Sequence, residues 1–230
     1  MAGWWHAERT GCGTISAVRL YLSSFRLGDH PEHLIRLTGE GARVAVVANS
    51  IDGAPAVIRR DGVQRELDDL SGLGLQPHEL DLRDVPEAKD VESALDGVDA
   101  VWVRGGNTFV LRVAMARSGA DAVLADAIRR DTLVYAGYSA GPCVLAPSLR
   151  GLELVDPVDD VGQVWPDADV VWDGLGVLDR AFVPHWNSPG HPETQLVDKV
   201  VARYDTDATP YWKLRDGQVL VVDGDSATVV

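Results

Sequence analysis

Positive charge is scarce in this sequence of 230 residues. It has 21 lysine and arginine residues against 35 aspartate and glutamate residues, which gives a formal net charge of −14. No segment gathers the lysines and arginines into a cluster. Because nucleic acids and anionic membrane surfaces bind proteins through a positive face, the sequence argues against both as partners.

Cysteine and long apolar runs are also scarce. The two cysteines are Cys12 and Cys143, and neither forms a cysteine-histidine spacing typical of zinc. We therefore expect no disulfide framework and no metal, and a reducing cytoplasm fits this composition. No window approaches the roughly 18 to 20 apolar residues that a membrane span needs.

The first 17 residues carry neither a secretory signal nor a helix or strand period. We expect residues 1–17 to be a disordered leader, or the product of a start codon placed too early. Residues 18–230 contain no recognisable linker, so the sequence predicts one α/β domain there.

Short apolar runs alternate with helical patterns along most of the chain. "VRLYLSSF" (18–25) and "RVAVVANS" (43–50) each end in small polar residues, as parallel strands do at their carboxyl ends. Repeated strand-helix-strand order predicts a doubly wound α/β fold, with a mostly parallel sheet and helices on both faces. The last segment, "YWKLRDGQVLVVDGDSATVV", predicts a terminal hairpin with Arg-Asp-Gly as its turn.

A serine between two glycines, "GYSAG" (137–141), joins a predicted buried strand to a helix. A glycine-flanked turn at this place can project the hydroxyl of Ser139 as a nucleophile, and the amide of Ala140 can then face an oxyanion. The alternative is that Ser139 only caps the helix. The apolar strand before it and the helix after it favour the nucleophile.

A second glycine pair, in "VRGGNTF" (103–109), ends another predicted strand. Gly106 is the predicted second oxyanion donor, with Gly105 as the alternative. The competing interpretation is a plain turn in which Asn107 or Thr108 caps the next helix.

A serine hydroxyl needs a general base, and histidine is the usual one. His185 ends the apolar run "AFVPHW" (181–186) in the second half of the chain, where a base could reach over the strand ends. His191 is the alternative base, and a half-buried structural role is the other interpretation of His185.

These motifs, "GGNTF", "GYSAG" and "VPHW" in this order, resemble the peptidase E family of serine peptidases, of which cyanophycinase is another branch. The segments "LSSFRLGDHPEHL" and "LRDGQVLVVDG" are similar to that family too, so the resemblance covers about residues 19–224. It implies a class I glutamine amidotransferase-like fold without a cofactor. It also implies that Ser139 attacks a peptide carbonyl, that His185 is base and then acid, and that the amides of Gly106 and Ala140 bind the oxyanion.

Two positions depart from the family pattern. The segment "RYDTDATPYWKL" (203–214) lacks the expected Pro-Glu-Gly acid, so we take Asp207 as the third catalytic residue, with Asp205 behind it. Gln195 stands where the resemblance places a substrate-binding arginine.

Three further residues are predicted to bind substrate. They are Asn107, Arg104, which could replace the missing arginine, and Glu153, which falls where the family often carries an acid near the site. Cys143 is expected to pack in the core, although related glutaminases use cysteine as nucleophile.

The expected function is therefore that of a serine peptidase acting on small peptides, with amino-terminal aspartyl dipeptides as candidate substrates. One alternative is a cyanophycinase-like β-aspartyl peptidase. The other is a non-catalytic binding or regulatory scaffold with a degraded triad, because the acidic member of the motif is missing. A small peptide is the expected partner, and the sequence leaves monomer and homodimer open.

Overall fold

The structure is a computed structural model, and it describes residues 18–230. The predicted leader, residues 1–17, lies outside the described residues. Nine strands are present in this part of the chain: β1 (Arg19–Ser23), β2 (Arg43–Val47), β3 (Gln76–Glu79), β4 (Ala100–Val103), β5 (Val134–Tyr138), β6 (Ala181–Val183), β7 (Tyr211–Lys213), β8 (Val219–Asp223) and β9 (Ser226–Val229).

Eight α-helices accompany these strands over residues 18–230. They are α1 (Glu32–Thr38), α2 (Ala56–Gly72), α3 (Ala88–Ala94), α4 (Thr108–Ser118), α5 (Ala120–Arg129), α6 (Ala140–Cys143), α7 (Asp159–Val164) and α8 (Thr194–Thr206). Short 3-10 helices cover Asn49–Ile51 and Leu152–Leu154. None of the helices over the described residues is long and apolar enough to cross a membrane.

Seven strands form one sheet in the order β3-β2-β4-β5-β1-β8-β9. The first five in this order are parallel to one another, while β8 is antiparallel to β1 and to β9. The parallel strands β2, β4 and β5 are almost wholly buried, as expected for strands covered on both faces. Their carboxyl ends lie at one edge of the sheet, which is where ligands bind in open α/β folds.

Helices cover both faces of this sheet. On one face α1 and α2 pack through Leu34, Leu37 and Leu70 against alternate residues of the central strands. On the other face the larger core includes residues of α3, α4, α5, α6 and α8. This arrangement confirms the predicted doubly wound α/β fold with a mostly parallel sheet.

The predicted terminal hairpin is wrong in one respect. β7 does not pair with β8 but lies parallel to β6 in a separate two-stranded sheet, while β8 joins the main sheet beside β1. The hairpin is instead formed by β8 and β9. The Arg-Asp-Gly segment therefore connects two sheets, and this carries Asp216 to the edge where the parallel strands end.

Candidate active site

Ser139 lies at the sharp turn between β5 and α6. Its backbone has φ 52° and ψ −109°, a strained conformation for a residue with a side chain. A Cβ on Gly137 or Gly141 would come within 2.3 or 2.5 Å of the carbonyl oxygen of Val103 on β4. The two glycines thus allow this turn to pack against the neighbouring strand. Ser139 makes no side-chain capping hydrogen bond to α6, so the helix-cap interpretation does not hold.

His185 follows β6 and brings its ring to the Ser139 hydroxyl. Nε2 of His185 is 3.0 Å from Oγ of Ser139, although 46 residues separate them in sequence. The backbone of His185 has φ 60°, and its N–H donates a hydrogen bond of 2.8 Å to Oγ of Ser24, the residue after β1. The histidine side chain is only 3% exposed. Its position is therefore fixed by both the backbone and the ring.

Asp216 is the carboxylate that contacts His185. Its Oδ1 lies 2.7 Å from Nδ1 of His185 and accepts a hydrogen bond of 2.9 Å from Oγ of Ser24. The N–H of Asp216 donates to Oγ of Ser188 at 2.8 Å. Burial alone would raise the pKa of the Asp216 carboxyl, but the hydrogen bonds from His185 and Ser24, and the charges of the nearby histidines, outweigh it and lower the pKa below its usual value. The group is thus held as a carboxylate.

The glycine pair after β4 lies directly against Ser139. A Cβ on Gly105 would be 2.9 Å from Cβ of Ser139, and one on Gly106, where φ is 148°, would be 2.7 Å from the carbonyl oxygen of Ser50. Oγ of Ser50 in turn donates to the carbonyl oxygen of Gly105 at 2.8 Å. Within residues 18–230, the N–H groups of Gly106 and Ala140 donate no hydrogen bond to another residue. Both amides are therefore available to an oxyanion.

A cleft of about 230 Å³ opens in front of Ser139, and we call it the Ser139 cleft. Three arginines from three separate segments line it: Arg26, Arg65 and Arg104. Nε of Arg104 lies 3.3 Å from Oε1 of Glu66, a carboxylate that is 1% exposed. Glu66 also accepts hydrogen bonds from Tyr138 and Trp102, so it is held in place below the cleft. Each of the three arginines contacts a carboxylate, Arg26 that of Asp69 and the other two that of Glu66, and Glu193 also lines the cleft.

A half-buried aspartate lies behind Ser139. Asp156 lines a small pocket together with Ser139 and His185, and its Oδ2 accepts a hydrogen bond of 2.9 Å from the N–H of Thr108. Burial raises the pKa of Asp156 to about 6, although Thr108 opposes the shift. Sequence reasoning missed this residue because an aspartate in an acidic, irregular segment gives no signal of burial.

Cys143 lines the same small pocket. Its thiol is fully buried and donates to the carbonyl oxygen of Phe182 at 3.4 Å. Burial raises the pKa of the thiol well above its usual value, and this suppresses the reactive thiolate. The structure agrees with a packing role for Cys143.

Three side chains of this region could offer ligands to a metal. The ligand atoms of His185, His191 and Glu193 lie within 4.8 Å of one another. Both ring nitrogens of His185 already form hydrogen bonds, to Ser139 and to Asp216. A metal ion bound to His185 would have to displace either Ser139 or Asp216 from its ring.

Comparison with known proteins identifies the family. The model of peptidase family S51 matches residues 57–230, which is more than half of the chain. The chain belongs to peptidase family S51. This confirms the resemblance that the three sequence motifs indicated.

Relatives of this S51 chain include two bacterial proteins named peptidase E. It is 33% identical to that of Streptomyces coelicolor over 154 residues, which are 65% of this chain and 59% of that protein. It is 26% identical to that of Shewanella denitrificans over 221 residues, 92% of this chain and 86% of that protein. The match thus spans about 60% of the length of the Streptomyces relative.

A solved structure shares the fold. A protein of Listeria monocytogenes, described as a candidate peptidase E, has a TM-score of 0.76 and 21% identity, with 94% of this chain and 98% of that chain covered. A peptidase from an acI-B1 actinobacterium has a TM-score of 0.64 at 14% identity. At these identities the likeness concerns the fold.

In this S51 chain, Asp207 does not lie beside His185. It ends α8, where its carboxylate pairs with Arg203 one helical turn earlier at 2.5 Å, and both side chains are exposed. The alternative, Asp205, accepts a hydrogen bond from the hydroxyl of Tyr211. The placement predicted for Asp207 is therefore wrong. After α8 the chain runs through β7 and crosses towards the main sheet. Asp216, nine positions after Asp207, therefore contacts His185 instead.

Two predicted substrate-binding residues also lie elsewhere. The side chain of Asn107 caps α4 by accepting hydrogen bonds from the N–H groups of Phe109 and Val110. Its amide donates to the carbonyl oxygen of Pro157, so the capping interpretation is correct. Glu153 is exposed and accepts a hydrogen bond from the N–H of Gly151.

Glu153 and Asp207 both line a second cavity of about 370 Å³, which we call the distal cavity. Its charged lining residues are Arg150, Glu153, Asp179, Arg180, Arg203 and Asp207. Neither Ser139 nor His185 lines it. Of the predicted substrate-binding residues, only Arg104 lies in the Ser139 cleft.

Proposed function

We propose that this chain is a serine-type peptidase that hydrolyses small peptides through an acyl-enzyme. The observation that carries the proposal is the continuous set of hydrogen-bond distances from Ser139 through His185 to Asp216, 3.0 and 2.7 Å. A serine hydroxyl, an imidazole and a carboxylate in this order are what nucleophilic attack by serine requires.

In the first step, Oγ of Ser139 attacks the carbonyl carbon of the peptide bond while Nε2 of His185 takes its proton. Asp216 orients the ring and stabilises the imidazolium that forms. The N–H groups of Gly106 and Ala140 are free to bind the negative oxygen of the tetrahedral intermediate. When the intermediate collapses, the carbon–nitrogen bond breaks and His185 returns the proton to the leaving amine.

In the second step, water hydrolyses the ester. His185 takes a proton from the water as its oxygen attacks the acyl carbon, and the same amides stabilise the second oxyanion. The proton then returns to Oγ of Ser139, and the carboxylic acid leaves. The enzyme is restored without any cofactor.

For the substrate, we propose an acidic dipeptide. Guanidinium groups bind carboxylates strongly, and three of them line the Ser139 cleft, those of Arg26, Arg65 and Arg104. Arg65 has only a 3.9 Å contact with Glu66, which supports its availability to a substrate carboxylate. Gln195, at the position expected for an arginine, is exposed on α8. A β-aspartyl substrate, as in a cyanophycinase-like enzyme, would place its carboxylate differently in the same cleft and is the alternative.

The non-catalytic scaffold alternative arose from the missing acid. The carboxylate of Asp216, in contact with His185, supports the peptidase over that alternative. The cytoplasmic location, the peptide partner and the choice between monomer and homodimer remain predictions from the sequence.

Labelling with a fluorophosphonate tests the proposal, because this reagent phosphonylates only an activated serine. We expect one equivalent to react with the wild-type protein and with Cys143→Ala, and none with Ser139→Ala. Equal labelling of the wild type and Ser139→Ala, or no labelling of either, would refute the proposed nucleophile.

A dipeptide library tests the substrate. It should contain α-aspartyl, β-aspartyl, neutral and basic amino-terminal residues at equal concentrations. We expect release of amino-terminal aspartate from α-aspartyl dipeptides to be the fastest reaction. A preference for β-aspartyl-arginine would favour the cyanophycinase-like alternative, and a preference for neutral dipeptides would contradict an acidic substrate.

A further inference from the structure

His191 lies flat against the imidazole of His185. The ring centroids are 3.7 Å apart and the planes differ by 5°. Phe25 stands edge-on to both rings, with centroid distances of 5.9 Å to His185 and 5.6 Å to His191. Phe25 thus packs edge-on against both of the stacked histidine rings.

The hydrogen bonds of His185 leave only the faces of its ring for other contacts. Nδ1 and Nε2 are directed in the ring plane to Asp216 and Ser139. His191 therefore covers one face of the ring that receives the proton from Ser139. A group at this place acts on the charge of His185 without touching the substrate bond.

The surroundings of His191 favour its neutral form. Its Nδ1 accepts a hydrogen bond of 3.3 Å from the N–H of Glu193, so a proton on the ring belongs on Nε2. Burial and the nearby His185 lower the pKa of His191, while Asp216 and Glu193 act in the opposite direction.

We propose that His191 is a positioning residue whose neutral ring, stacked on His185, stabilises the positive charge that His185 acquires when it takes the proton of Ser139. The inference rests on the proposed peptidase function. A cation over an aromatic face is attracted by the π electrons of the ring. Since His185 gains this charge as it takes the proton, the stabilisation acts on the transition state and appears in kcat.

A protonated His191 would have the opposite effect. It would place a second positive charge against the imidazolium at a centroid distance of 3.7 Å. The other charged groups facing this position are Asp216 and Glu193, with Arg26, Arg65 and Arg104 across the Ser139 cleft.

Substitution of His191 by leucine and by phenylalanine separates the electrostatic role from packing. Both side chains fill the space, but only phenylalanine presents a π face. We expect His191→Leu to lower kcat about five- to tenfold with KM changed less than twofold, and His191→Phe to recover at least threefold of that loss. The exposed His30, substituted by phenylalanine, is the matched control and should not change kcat. Equal kcat in the leucine and phenylalanine variants would overturn the role of His191.

Fluorophosphonate labelling distinguishes failure of the His191 proposal from failure of the proposed peptidase function. If the wild type labels at Ser139 but the variants differ as little as His30→Phe does, only the His191 proposal fails. If the wild type does not label, the proposed function fails and the inference falls with it. Thermal melting of each variant shows whether a loss of kcat comes from unfolding.

Discussion

The Ser139 cleft and the distal cavity have similar kinds of side chains and differ in what these side chains contact. Both contain arginines and carboxylates, and the distal cavity is the larger, at about 370 Å³ against 230 Å³. In the distal cavity Arg203 pairs with Asp207 on the exposed surface of one helix. In the cleft, Ser139 contacts the buried His185, whose other ring nitrogen contacts Asp216.

The difference teaches that neither size nor charge identifies the site. An aspartate is a candidate catalytic group when its carboxylate contacts a buried imidazole, as Asp216 does. An aspartate that pairs with an exposed arginine one helical turn away, as Asp207 does, is an ordinary surface residue. Matched substitutions in the two regions can therefore break or sharpen the comparison.

The largest effect is expected for His185→Ala. Loss of the base should lower kcat by about four orders of magnitude or more, because the Ser139 hydroxyl is a weak nucleophile without it. Stability should change by no more than about 1 to 2 kcal/mol. Kinetics on the best dipeptide and urea denaturation measure the two quantities. A large loss of stability with activity retained would favour a structural role, and His78→Ala on the exposed edge strand is the control.

The next effect compares the two aspartates directly. Asp216→Asn should lower kcat about a thousandfold or more, because the amide no longer holds the ring of His185 in the required tautomer. Asp207→Asn removes only an exposed pair and should leave kcat within about twofold. The same assay serves both variants. Similar rates for the two would mean that the contact of Asp216 with His185 has no catalytic role.

A smaller effect is expected on substrate affinity. The double variant Arg104→Gln with Glu66→Gln removes a buried ion pair from the cleft, and the half-exposed Arg65 loses only a 3.9 Å contact with Glu66. KM for α-aspartyl dipeptides should rise about tenfold, and KM for neutral dipeptides should not. The matched control, Arg203→Gln with Asp207→Asn, removes the pair of the distal cavity. An equal change for acidic and neutral substrates would show that Arg104 does not select the acid.

The smallest effect concerns stability rather than rate. Asp156 has its pKa raised to about 6, so the folded state disfavours its charge. Its contribution to stability is greatest below the pKa of the unfolded chain, near 4, and is lost as the pH rises through 6. Asp156→Asn should therefore increase the free energy of unfolding at pH 8 by about 2 to 3 kcal/mol and change it little at pH 4.

Chemical denaturation at pH 4 and pH 8 measures the effect of Asp156→Asn. The exposed Asp207→Asn should show no such difference between the two pH values. An equal effect of Asp156→Asn at both would contradict the raised pKa of the carboxyl behind Ser139.

Local signals in the sequence predicted much of the fold and part of the site. Ser139 and Gly106 each follow a strand that an apolar run predicts, so their place at the sheet edge follows from chain order. Asn107 shows the limit of this reasoning, because a residue in such a loop can turn inwards to cap α4 rather than outwards to a ligand.

The sequence by itself determined the alternating α/β fold, the glycine-flanked serine turn and the histidine after a short strand. Only the tertiary structure decided that Asp216 rather than Asp207 reaches that histidine, and that His191 stacks on it. The physical reason is that turns and strands depend on neighbouring residues, whereas these contacts depend on where distant segments pack. The pairing of β7 with β6 and of β8 with β1 places the Arg-Asp-Gly loop against His185, and no local pattern encodes that choice.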